Sequence, residues 1–87
     1  MELRLTDDAK EDIKFFTKSG QTNILRKIET LLGSIKDTPF SGIGKPEPLK
    51  YEYSGKWSRR IDIQNRIVYA VVDDIIYIYS LRGHYQK

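Results

Sequence analysis

The stretch WSRRIDIQNRIVYAVVDDIIYIYSL, from Trp57 to Leu81, decides the class of this fold. It divides into three runs rich in β-branched and aromatic residues: Trp57 to Ile63, Arg66 to Val72 and Ile75 to Leu81. Such side chains pack well on a pleated surface. Gln64-Asn65 and Asp73-Asp74 separate the runs and sit where tight hairpin turns belong. Connections this short join antiparallel neighbours, because parallel strands need a crossover of a dozen residues or more. Upstream, Leu49 to Tyr53 reads as another strand, closed by a turn at Ser54-Gly55. The second half of the chain is therefore expected to be an antiparallel meander.

Working outward, the first half has helical periodicity. Residues 2–5 alternate and read as a short strand. Thr6-Asp7-Asp8 is a helix start: a hydroxyl cap, then acids near the positive end of the helix dipole. Ala9, Ile13 and Phe16 recur at helical spacing up to Ser19-Gly20. Thr22 is placed to cap a second helix with Leu25, Ile28, Leu32 and Ile35 as its apolar stripe. Asp37-Thr38-Pro39 ends it, since proline offers no amide hydrogen and disfavours helix before itself. Helices followed by strands define an α+β class, with two N-terminal helices on a twisted antiparallel sheet of four to five strands. A chain of 87 residues makes one domain, 1–87.

Residues 38–48 join the halves. They hold all three prolines and two glycines, so they form neither a helix nor a central strand. A loop this long in so small a domain usually has a use.

Charge is unevenly placed. Residues 1–43 carry seven Lys/Arg and seven Asp/Glu; residues 44–87 carry eight and five, so the +3 excess lies in the second half. Its densest part is Lys45, Lys50, Lys56, Arg59, Arg60 and Arg66, interleaved with Tyr51, Tyr53, Trp57 and Tyr69. Cations neutralise phosphates and rings stack on unpaired bases, so this pattern suits a nucleic acid. It equally suits a solvated basic surface over ordinary core aromatics. With no cysteine there is no disulfide framework and no thiolate zinc site. The charged start lacks the apolar run of a signal peptide, and the longest apolar stretches are too short to span a bilayer. A soluble cytoplasmic domain is expected.

Three features bear on chemistry. Glu47 lies between Pro46 and Pro48, which restrict its backbone. His84, the single histidine, follows the last strand. Several arginines sit on the central strands. Metal-free RNA cleavage needs a base for the 2′-hydroxyl, an acid for the leaving 5′ oxygen, and cations for the phosphoryl oxygens. Glu, His and Arg are suitable types for these tasks, and the planar guanidinium matches phosphate oxygens. Each residue taken alone also reads as a plain surface charge. No phosphate-binding glycine loop, zinc-protease motif or dinucleotide fingerprint is present.

From Thr38 onward the chain resembles the YoeB branch of the RelE-type ribonuclease toxins. The resemblance rests on Thr38-Pro39-Phe40, Gly42, the run Gly44 to Lys50, Ser54-Gly55, Trp57 to Ile61, Arg66 to Val71 and His84-Tyr85. It implies a RelE-like, microbial-RNase-like fold. It implies Glu47 as general base, Arg66 as principal transition-state cation and His84 as general acid. Tyr85 would support the leaving-group side or stack on a base. Lys50 and Arg60 would bind phosphates; the charge pattern adds Lys45 and Arg59. The resemblance further implies messenger RNA cut in the ribosomal decoding site, a YefM-type antitoxin as partner, a homodimer, no membrane, no metal and no cofactor.

Two points stay open in the residues. A two-residue turn at Gln64-Asn65 puts Arg60 and Arg66 on opposite sheet faces, whereas a longer loop or a bulge brings them to one face. A RelE-like fold that binds without cutting, or an interaction domain pairing through Tyr77, Ile78 and Tyr79, also fits the elements.

Overall fold

The structure, a computed structural model, describes residues 1–83. Its elements in chain order are β1 (Glu2–Leu5), α1 (Asp7–Lys18), α2 (Thr22–Asp37), β2 (Glu47–Pro48), β3 (Trp57–Arg60), β4 (Arg66–Val72) and β5 (Ile75–Ser80). Two helices pack on a five-stranded sheet of order β1-β5-β4-β3-β2. The α+β expectation holds. The sheet is mixed rather than wholly antiparallel, because β1 runs parallel to β5, Glu2 opposite Ile75 and Leu5 opposite Ile78. The chain between β1 and β5 includes both helices, so it supplies the long crossover that a parallel pair requires.

Local chemistry explains the helices. The Thr6 hydroxyl accepts from the Ala9 amide at 3.2 Å and caps α1 as expected. Ser19 to Gln21 link the helices. Gln21, not Thr22, holds the cap position of α2 and makes no side-chain bond there. The buried stripe of α2 is Ile28, Leu31 and Ile35; Leu25 and Leu32 are only partly covered. These meet Ala9 and Phe16 of α1, Ile67 and Tyr69 of β4, and Ile76 and Ile78 of β5. Each such large apolar side chain contributes about 1.5–3 kcal/mol on leaving water.

The strand expectations shift at their ends. Leu49 to Tyr53 is not a strand; β2 ends at Pro48, one further bond runs from the Leu49 amide to the Lys56 carbonyl at 2.9 Å, and a 3-10 turn spans Tyr51–Tyr53. β3 ends at Arg60 rather than Ile63, and residues 61–65 form the connection to β4. The Asp62 carboxylate accepts from the Gln64 and Asn65 amides and holds that connection closed. Asp73-Asp74 is the expected two-residue hairpin, with Asp73 in the left-handed region at φ 57°. Val68 pairs with Ser80 and Tyr69 with Ile78, so Tyr79 is an extra residue and β5 bulges there. Among the described residues no helix is long and apolar enough to cross a membrane.

Candidate active site

Pleat and register collect the charged residues. Successive side chains in a strand point to opposite faces. Tyr69 and Ile67 of β4 face the helices, so Arg66 and Val68 face away from them. Arg60 is directly opposite Arg66, and Ser58 is opposite both Val68 and Glu47. Glu47, Arg60 and Arg66 therefore share the face away from the helices. The five-residue connection makes this possible; a two-residue turn would have separated the arginines.

Arg66 and Glu47 form an ion pair, Nη1 to Oε1, at 3.6 Å. The Arg66 side chain is 28% exposed and that of Glu47 55%, so both reach solvent. At that length the pair is an electrostatic contact rather than a formed hydrogen bond, and both partners stay available to a ligand. Arg60 is exposed and makes no ion pair among the described residues. Lys45 and Lys50 are exposed on either side of Glu47 in the chain. Lys45 takes φ 51°, an uncommon conformation for a residue with a side chain.

Arg59 does not belong with these cations. It was expected to bind phosphate but is 0% exposed, facing the helices beside Ile67. Its five N–H donors all have partners. Nε donates to the Tyr69 hydroxyl at 3.2 Å. Nη1 donates to Ser34 Oγ at 2.7 Å and to the Ile43 carbonyl at 3.1 Å. Nη2 donates to the carbonyls of Thr38 and Ser41. No donor is left for a phosphate. Tyr69 is likewise removed from the base-stacking candidates: it is fully buried and donates to the Pro39 carbonyl at 2.6 Å. Burial raises the pKa of its phenol above the usual 10, and the neighbouring Arg59 cation pulls the other way.

Trp57 is partly buried, with Phe40 packed against its ring at 4.9 Å between centroids. Tyr51 projects, 87% exposed, from a backbone at φ 59°. Lys56 lies over the Tyr79 ring at 4.5 Å. That stack lines a cleft of about 480 Å³, which Asp8 and Glu11 of α1 also line and which reaches Val68, two residues from Arg66.

His84 and Tyr85 lie outside the described residues. Two anchors hold the chain just before them. The Leu81 amide donates to Asp12 Oδ2 at 2.8 Å. Gly83, at φ 69°, lies so close to Arg66 that a Cβ there would stand 3.2 Å from the Arg66 amide nitrogen. Sequence reasoning missed Asp12. The signal was present: Asp12 falls on the inward stripe of α1 with Ala9, Ile13 and Phe16, where a carboxylate needs a partner.

The arrangement thus offers a carboxylate and two guanidinium groups on one sheet face, with lysines alongside. It is suited to hold a phosphodiester and to take a proton from a group beside it.

Comparison with known proteins agrees with the fold. The family model for the YoeB-like toxin of bacterial type II toxin-antitoxin systems matches residues 5–85. A toxin YoeB of Mycobacterium bovis is 49% identical over 78 residues, covering 90% of this chain and 91% of that protein. The solved YoeB/ParE toxin from Agrobacterium tumefaciens superposes with a TM-score of 0.91 at 38% identity, covering 98% of this chain and all of that one. A Staphylococcus aureus YoeB, 40% identical with 98% of each chain covered and a TM-score of 0.85, is known in a heterotetrameric YoeB-YefM complex. With a family match across nearly its whole length and relatives this similar, the chain belongs to the YoeB-like toxins of bacterial type II toxin-antitoxin systems.

Proposed function

We propose that this toxin is an endoribonuclease that cleaves messenger RNA in the ribosomal A site by metal-independent acid–base transesterification. The observation that carries the reading is the pairing of Glu47 with Arg66 at 3.6 Å on a face shared with Arg60. Glu47 takes the proton of a 2′-hydroxyl, and that oxygen attacks the adjacent phosphorus. Arg66 stabilises the charge that builds on the phosphoryl oxygens, which is where a preorganised cation lowers the barrier most. His84 gives its proton to the departing 5′ oxygen, leaving a 2′,3′-cyclic phosphate. Tyr85 supports that side. Lys45, Lys50 and Arg60 hold flanking phosphates.

The ribosome-bound messenger completes the site, and free RNA is a poor substrate. The Staphylococcus aureus relative binds YefM and is also known as a dimer. A YefM-type antitoxin and self-association are proposed for this chain on that basis.

The test is to incubate the protein with ribosomes translating a defined messenger and map the 5′ ends of the fragments. A discrete cut at the decoding site, lost in Glu47→Ala and in His84→Gln, is expected. No cut by folded wild-type protein free of antitoxin would overturn the reading in favour of a module that binds without cutting.

A further inference from the structure

We infer that Arg59 is the positioning residue for Glu47: its buried guanidinium organises the 38–46 loop from inside and so sets where the carboxylate stands. The inference rests on reading Glu47 as the general base. Beyond a Thr38–Ser41 turn and the packing of Phe40 on Trp57, the loop has little of its own to hold it in place. Pro46 and Pro48 flank Glu47 and have no amide hydrogen, so β2 is only two residues long and pairs thinly with β3. Nor does the loop pack as a core, since Phe40 and Ile43 are about half exposed.

What the loop does have is one hub. Thr38, Ser41 and Ile43 all direct carbonyls at Arg59, and Pro39 directs its own at Tyr69, which is bonded to the same guanidinium. Ser34 ties the hub to α2. The Arg59 backbone is paired with Ile67 in the middle of the sheet, so the hub is rigid. Gly44 closes the wrap. It has φ 84°, and a Cβ there would stand 2.7 Å from Leu31 Cδ2 and 3.2 Å from Arg59 Cβ. The Gly44 carbonyl in turn accepts from the Arg60 amide at 2.7 Å. From that point three residues lead to Glu47. Only a planar fork with five donors meets this set of acceptors. The positive charge is balanced by carbonyl and hydroxyl dipoles rather than by a carboxylate among the described residues.

The consequence is a functional division between neighbours. Arg60 faces the phosphodiester. Arg59 never touches it, yet it decides whether the base does.

A double-mutant cycle on translating ribosomes tests this. Single-turnover cleavage and ribosome affinity are measured for wild type, Arg59→Lys, Glu47→Ala and the double variant. Lysine keeps the charge but brings three donors, so loop carbonyls are released. Arg59→Lys is expected to lower the cleavage rate about 10- to 100-fold, the scale for a base displaced by about 1 Å. Affinity is expected to stay unchanged. In the Glu47→Ala background the same substitution is expected to cost almost nothing, because an absent base cannot be misplaced. Equal fold losses in both backgrounds would mean that Arg59 acts only through general stability, and would overturn the inference. So would a wild-type rate for Arg59→Lys. A wild-type rate for Glu47→Ala would overturn the reading of Glu47 itself, which separates the two failures. If Arg59→Lys does not fold, Tyr69→Phe serves in the same cycle. It removes only the hydroxyl joining Arg59 to Pro39, and a smaller loss, again absent without Glu47, is expected.

Discussion

Arg59 and Arg60 are adjacent, chemically identical and opposite in fate. The pleat turns one towards the helices and the other away. A buried guanidinium survives because every donor is met. Tyr69 shares that pocket and predicts a pH effect. Its phenol has a raised pKa in the folded state, so between about pH 10 and that higher value the unfolded chain ionises and the folded one does not. The stability Tyr69 contributes is whole below about pH 10 and is lost as pH rises through the folded-state value. Urea denaturation from pH 8 to 11 should show a drop that Tyr69→Phe reduces; an unchanged drop would place its origin elsewhere. Tyr51 predicts the reverse kind of change. Its left-handed backbone at φ 59° costs about 1 kcal/mol for a residue with a side chain, and Asn tolerates that region better. With the ring 87% exposed, Tyr51→Asn should raise Tm by a few degrees. A lower Tm would show that the ring makes stabilising contacts.

At the scale of elements, the connection between β3 and β4 matters most. Ile61 and Ile63 are two residues apart in it and look alike in sequence. Ile61 is 3% exposed and joins the core, whereas Ile63 is 95% exposed. Ile61→Ala should cost about 2–5 kcal/mol and Ile63→Asn less than about 0.5 kcal/mol in denaturant unfolding. Similar costs would contradict the loop's conformation. On the other side of β4, α1 reaches the end of β5. Asp12 leaves the helix stripe polar in order to accept from Leu81. Asp12→Ala strands a buried amide and should cost about 1–3 kcal/mol. It should also speed hydrogen exchange at Leu81. Protection retained there would mean that Asp12 is not the anchor.

For the whole molecule, basic charge gathers in the half of the chain that makes the candidate site, and the sheet sorts it by face. With Arg59 buried, Lys45, Lys50, Arg60 and Arg66 are the four cations proposed for phosphates. Single-stranded RNA binding should therefore weaken with salt on a log–log slope of about −2 to −3. Arg60→Ala should lower its magnitude by about 0.7, while Arg59→Lys should leave it unaltered. A slope that changes with Arg59→Lys would return that residue to the binding surface. Fluorescence anisotropy across a salt series reads both.

Periodicity in the sequence alone determined the two helices, the hairpin order of β3 to β5, the loop before β2 and the α+β class. Those depend on contacts within a few residues, which a local pattern encodes. The sequence also supplied the residue types for the candidate site, Glu47 with a set of arginines. Tertiary structure decided which arginine serves the surface. The same five residues separate Arg60 from Arg66 in either case; whether an odd or an even number of them forms the turn decides the face, and Asp62 closing on the Gln64 and Asn65 amides helps set that number. It decided that Glu47-Pro48 joins the sheet as an edge while Leu49 to Tyr53 forms no strand, because pairing depends on β3 lying alongside. It decided the parallel placement of β1 and the inward role of Asp12, whose partner Leu81 lies 69 residues away. Partners that distant leave no mark on local periodicity; only closing the chain on itself brings them together.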